Sequence, residues 1–397
     1  MKKLLLLFIW ALIICTPAIC YAQDELDALA FEFQGSWEEV RSLWALPWDI
    51  SSPSKVAKLV ETAINSHQNE LLVEVRYRSD ALFDTSRGAQ HFHNPEPRSH
   101  VLDIPEYDPL LDILQLAHAA GIQVHAWVIA FNATPLDQAL LEKNYIYNNH
   151  PEWITYDANR RLMNTSSQYG YYIDPGIPEV QDYLLEIIGN LLTGYPDLDG
   201  IHLDYIRYPN ENLGYHPVSL ARYQEYCREH DEISFNEWRI MQVTGFVQRF
   251  QSLVKGINPA ILTSAAVFAD IADANVAYAQ DWTKWLQKGY IDRVYPMAYS
   301  TKLKTFSKQL SQYLLLDKSE AIVVGIRAWR DDGASILSTN GYNLADVAER
   351  IEEIRAYGFA GIALFSYAGI KPENAWKLLT EMSYPADDLV FKAQDTP

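Results

Sequence analysis

The stretch DGIHLDYIRYP, residues 199–209, gathers an acid, an imidazole, a guanidinium and two phenol rings within a few positions of one another. Gly200 to Leu203 reads as a short buried strand that stops on Asp204. Ile201 and Leu203 fall on one phase of the strand period, His202 and Asp204 on the other. A polar pair on the inward phase of an apolar strand costs free energy unless it has partners or a chemical role. Arg207, Tyr208 and Pro209 follow where the chain leaves the strand end. Asp204 is the expected chemical centre.

Such a group needs a scaffold, and the chain supplies strands at regular intervals. Buried strands are expected at Val40–Leu46, Leu71–Arg76, Gln123–Ile129, Gly200–Leu203, Ile261–Val267, Arg293–Met297, Ala321–Ile326 and Gly361–Phe365, with helical segments between them. One helix is expected from Asn275 to Leu286. Gly121, Gly256, Gly289 and Gly358 each read as the end of a helix shortly before a strand. Eight such units close into a (β/α)8 TIM barrel with long βα loop insertions at about 77–107 and 130–178. An open doubly wound sheet has no support, because no glycine-rich phosphate turn follows any strand.

Composition bounds the setting. The 397 residues include 11 Trp, 25 Tyr and 14 Phe, beyond what a core alone explains, and flat rings with polar edges suit stacking on sugar faces. Residues 1–22 read as a secretory signal: two lysines, an apolar run from Leu4 to Cys15, and Cys20-Tyr-Ala22 as a small-x-Ala cleavage site. A lead at 23–35, a barrel at 36–385 and a tail at 386–397 follow. A secreted or periplasmic protein with no membrane span after signal removal is therefore expected. Loss of the signal leaves Cys227 as the single cysteine and moves the net charge from −19 to −21. That acidity disfavours nucleic acid and anionic membranes as partners.

In a TIM barrel the chemistry lies at strand C-terminal ends. Those ends here carry Glu74 and Arg76, His125, Trp127 and Asn132, His202, Asp204 and Arg207, Tyr295 and Tyr299, Arg327 and Trp329, and Tyr367. Glycosidic cleavage normally uses two carboxyl groups that flank the bond. Asp204 is one, as nucleophile or stabilising carboxylate. For the acid, Glu74 is the first choice, since burial beside rings would raise its pKa. Asp281 is the second choice, although it also suits a cap on the helix beginning at Trp282; Asp270 and Asp273 read as caps. Arg76, Arg207, Arg327, Asn132, His125 and His202 are candidates for binding sugar polar groups, and His125 and His202 also for contacting Asp204. Trp127, Tyr205, Tyr208, Tyr295, Tyr299, Trp329 and Tyr367 are candidates for lining the cup and stacking. His91 and His93 offer two metal ligands, but spacing fixes no third, so neither metal nor cofactor is expected.

DGIHLDYIRYP, preceded by IDPGIPEVQDYLLEII, resembles the glycosyl-hydrolase-like family 10 proteins, as do GIQVHAWV and QDWTKWLQKGYIDRVYPMAYS. The likeness covers roughly Ser36 to Ala368. It implies an exported (β/α)8 glycosidase-type protein acting on polysaccharide, with some relatives tied to bacterial cell-wall glycan. A more distant likeness runs to family 18 chitinases: Asp199, Gly200, Asp204, Met297 and Tyr299 fit, but His202 and Ile206 replace the second acid and the catalytic glutamate. Substrate-assisted chitinase chemistry is thereby unsupported. The alpha-amylase pattern is met at Gly200 and Asp204 and departs at His202. The alternatives are a noncatalytic glycan-binding barrel, and a scaffold or envelope interaction protein that uses the two long loops.

Overall fold

The computed structural model describes residues 39–165 and 170–384. The expected signal, lead and tail lie outside them. Eight strands run parallel: β1 Val40–Ala45, β2 Glu70–Tyr77, β3 Gln123–Ile129, β4 Gly200–Asp204, β5 Leu262–Phe268, β6 Arg293–Met297, β7 Val323–Arg327 and β8 Gly361–Phe365. Each pairs with its sequence neighbour, and β1 pairs with both β2 and β8, so the sheet closes into a (β/α)8 barrel. A two-residue strand, Asp80–Ala81, adds antiparallel to the end of β2.

Local chemistry sets the surrounding helices. Pro53 and Pro109 occupy first helical positions, where a missing N–H costs nothing. Asp108 caps its helix through Leu111 N–H, and Ser234 with Glu237 forms a capping box on Phe235–Ile257. Gly121, Gly289 and Gly358 leave their helices at φ between +67° and +73°, the left-handed turn that glycine enters without strain. Gly256 differs. It lies inside the last turn of Phe235–Ile257, and Asn258 ends that helix. The expected helix at 275–286 is two short ones, Ile271–Val276 and Trp282–Gln287, because Asp270 and Asp281 each cap a separate start.

The outer faces of the strands pack on the helices in one apolar core, while the barrel interior holds a separate group that includes Trp44, Leu72, Trp127, Ile129, Tyr295 and Ala363. Lower in the interior sits a polar layer. Tyr295 Oη donates to Glu70 Oε1 at 2.6 Å, Arg293 Nη1 to Glu70 Oε2 at 2.9 Å, and Ser42 Oγ also donates to Glu70. Burial pushes the Glu70 carboxyl up, but His125, Arg293 and these donors outweigh it and hold it below its usual range. Gly200 is required beside this layer, since a Cβ there would stand 2.7 Å from the His125 ring.

Candidate active site

Above that layer, regular pairing of β3 with β4 sets Trp127 opposite His202 and Ile129 opposite Asp204. His202 and Asp204 both face inward, one above the other. His202 is fully buried. Trp44 Nε1, which can only donate, reaches His202 Nε2 at 3.3 Å, so Nδ1 carries the proton and donates to Ser264 Oγ at 2.9 Å. Burial and then the neighbouring His125 hold the ring well below the ordinary histidine pKa, hence neutral. A neutral wedge under Asp204 adds no charge and fixes the base of the cup.

Asp204 is 7% exposed. Desolvation leaves its pKa raised overall, and against it work the Arg207 guanidinium 3.6 Å away, the Tyr205 N–H at 2.6 Å, the nearby Trp127 indole and Arg78. Tyr205 takes φ +51°, a left-handed conformation uncommon for a bulky residue, and this turn aims its N–H back at the carboxylate.

Glu74 faces the same space from β2 and is equally desolvated. Burial, Asp204 and Asp49 push its pKa well up, and Arg78 alone opposes them. Among the described residues none donates a hydrogen bond to it. Two carboxyls thus share one cup under unlike conditions. Asp204 has donors and a cation, whereas Glu74 has neither a donor nor an adjacent ion pair. That asymmetry favours a protonated Glu74 beside an ionised Asp204.

The register shifts between Glu74 and Arg76: Glu74 pairs with inward Trp127, but Arg76 pairs with outward Val128. Arg76 therefore lies outside the barrel, fully buried, where its guanidinium pairs with Glu96 at 2.6 Å and Tyr183 Oη donates to the same carboxylate. The cation that faces both acids is Arg78. It donates to Asn132 Oδ1 and stands 5.7 Å from the Tyr205 ring. Arg78 and Ser79 both have positive φ, and Asn144 Nδ2 secures the bend by donating to Arg78 O at 2.7 Å.

Tyr299 packs on Phe365 with ring centroids 5.6 Å apart and 26° between planes, and edge-on to Trp329 at 5.1 Å. Trp127 meets Phe365 at 6.2 Å. These rings wall one side of the cup. Arg327 lies over Trp329 at 4.4 Å and pairs with Asp331 at 3.0 Å. Five other candidates lie elsewhere. His125 and Tyr295 belong to the polar layer below, and Tyr208 is buried against Arg239, whose guanidinium lies 4.5 Å from its ring. Tyr367 stacks on Trp376 at 6.0 Å, on the helical side of the rim. Asp281 accepts from Lys284 N–H at 3.3 Å as a helix cap. Among the described residues no group of three or more His, Cys, Asp or Glu is arranged to hold a metal ion. No described helix is long and apolar enough to cross a membrane.

The comparisons with known proteins follow the same outline. The family model for glycosyl hydrolase-like 10 matches residues 39–328. The chain belongs to this family. The glycosyl hydrolase YngK of Bacillus subtilis is 23% identical over 332 residues, covering 75% of this chain and 59% of that relative. The glycosyl hydrolase DigH of Escherichia coli K12 is 27% identical over 245 residues, covering 55% of this chain and 52% of the relative. The chain thus spans less than two thirds of either. Among solved structures, the glycoside hydrolase domain of PgaB (BpsB) from Bordetella bronchiseptica superposes with a TM-score of 0.64 at 14% identity. It covers 87% of this glycosyl hydrolase-like 10 chain and 99% of that domain, a likeness of fold.

Proposed function

We propose that the protein hydrolyses glycosidic bonds of a polysaccharide, with Glu74 as general acid and Asp204 as nucleophile or stabilising carboxylate. The observation that carries this reading is the pair of desolvated carboxyls in one aromatic cup, one with a backbone N–H donor and an ion-paired arginine, the other with neither a donor nor an ion-paired cation. Glu74 gives its proton to the leaving glycosidic oxygen as the bond to the anomeric carbon breaks. Asp204 meets the positive charge developing on the sugar, by bonding or by field. Water then adds its hydroxyl to the anomeric carbon, and its remaining proton restores the acid. Trp127 and Tyr299 supply apolar faces beside the reacting ring, and Arg207, which acts on Asp204 and not on Glu74, favours the ionised form of Asp204 alone. Bacterial cell-wall glycan is the proposed substrate class, in line with family membership and the signal-like first 22 residues, and export to the envelope or medium belongs to the same proposal.

The roles separate by leaving group. Glu74→Gln should lose most activity on an unactivated glycan, about 10²-fold or more, and retain much of it on an aryl glycoside whose leaving group needs no proton. Asp204→Asn should lose both. Equal loss on both substrates in Glu74→Gln would remove Glu74 from the acid role.

A further inference from the structure

Two aromatic platforms that the candidate site does not use stand on opposite sides of the carboxylates. Trp48, just beyond β1, is 52% exposed and makes a T-shaped contact with the partly exposed Tyr77, with centroids 5.3 Å apart and planes at 70°, so the pair leaves aromatic surface open to solvent. Its neighbour Asp49 acts on Glu74, which places this platform on the acid's side. Across the mouth, Phe268 at the end of β5 stacks on Tyr278 at 3.7 Å and 16°, both rings partly exposed. The Arg207 guanidinium lies 4.7 Å from the Phe268 ring and 3.6 Å from Asp204, so this second platform is on the nucleophile's side. In the ring of eight strands β1 and β5 are four places apart in either direction, diametrically opposed.

From this juxtaposition we infer that a glycan chain lies across the whole mouth, from Trp48 and Tyr77 over Glu74 and Asp204 to Phe268 and Tyr278. Sugar rings then bind on both sides of the bond that breaks, and the enzyme cuts within chains rather than releasing units from an end. A pocket for a chain terminus would be walled off on one side. This mouth instead offers a flat ring on each. The inference rests on the glycosidase reading and adds the mode of attack and the required length of substrate.

The test uses the full chain and a size ladder of denuded peptidoglycan strands. Internal cutting gives a rapid fall in polymer size while few reducing ends have appeared, with mixed oligosaccharides as first products. Trp48→Ala and Tyr278→Ala should each lower kcat/KM on long oligomers by roughly three- to tenfold, the worth of one aromatic stacking contact. The loss should shrink as the oligomer becomes too short to reach the altered platform. Binding of the same ladder to Asp204→Asn, measured by calorimetry, should tighten with length and lose that gain when Trp48→Ala is added. Exclusive release of mono- or disaccharides from the outset, or losses independent of length, would overturn the inference and leave the hydrolase reading standing. A chain that binds the ladder with length-dependent affinity but cleaves nothing would overturn the hydrolase reading, and the cutting mode with it.

Discussion

Removing the Arg207 charge should move the acid limb of the activity profile upward. Arg207 Nη1 stands 3.6 Å from Asp204 Oδ1, and both side chains are 10% exposed. At that separation Coulomb's law gives roughly 4–5 kcal/mol for an effective dielectric of about 20, an upper figure that solvent at the mouth reduces. Buried carboxylates beside an arginine keep about one pH unit or more of this. The sign is fixed: desolvation raises Asp204, Arg207 is the first of the groups opposing it, and losing the cation lets the carboxylate take a proton at higher pH. Activity requires Asp204 ionised, so the acid limb of kcat/KM in Arg207→Gln should rise by about one unit or more. The alkaline limb, set by Glu74, should move less, because Arg207 is not among the groups acting on Glu74. Arg207→Lys should restore most of the acid limb and thereby separate charge from loss of packing on Tyr205 and Phe268. An acid limb that stays in place in Arg207→Gln would refute the electrostatic account of Asp204.

Three further outcomes follow from the same geometry. Glu74 has a raised folded-state pKa, so between its unfolded and folded values the native state holds the extra proton and stability falls as pH rises. Glu74→Gln should therefore stabilise the fold by about 0.5–2 kcal/mol at pH 7 and by less at pH 4, read from denaturant midpoints; no gain at pH 7 would show that Glu74 is not strained by burial. Glu96→Ala should cost about 3–5 kcal/mol by stranding the buried Arg76 guanidinium, while glycan affinity of the folded fraction stays at wild-type level, which calorimetry would check. Gly200→Ala should destabilise by roughly 1–3 kcal/mol, because its methyl would meet the His125 ring at 2.7 Å, and a thermal melt at the wild-type temperature would contradict the packing described.

Much of this was legible in the chain itself. Alternating apolar strands and capped helices specify a barrel because each unit must bury both faces of its strand. The strand phase of His202 and Asp204 was readable because β4 pairs regularly with β3. On β2 the same rule fails. The register shift after Glu74 turns Arg76 outward, and only cross-strand pairing reveals it, since a bulge leaves no mark in hydrophobic period. Arg78 carries no mark in the hydrophobic period either, since two consecutive left-handed residues past the strand end place it in the cup. Tyr208 looked like a rim aromatic because it follows Arg207, yet the backbone turn at Tyr205 carries it into the core beneath Arg239. Asp281 illustrates a different limit. A carboxylate before a helix suits a cap as well as an acid, and only the contact with Lys284 N–H at the start of Trp282–Gln287 decides for the cap. Trp48 sits in a one-turn 3-10 helix, Pro47–Asp49, and Tyr278 in a turn, segments too short for sequence period to carry facing information.

The most direct test of the central claim is reducing-end release by the protein across a polysaccharide panel that includes denuded peptidoglycan, with wild type run beside Asp204→Asn. The account predicts release by wild type on one class of glycan, with activity collapsing in the variant while sugar binding persists. Binding by both proteins without release by either would contradict it in favour of a noncatalytic glycan-binding barrel, and release that survives the substitution would show that Asp204 is not the carboxylate at the centre of the chemistry.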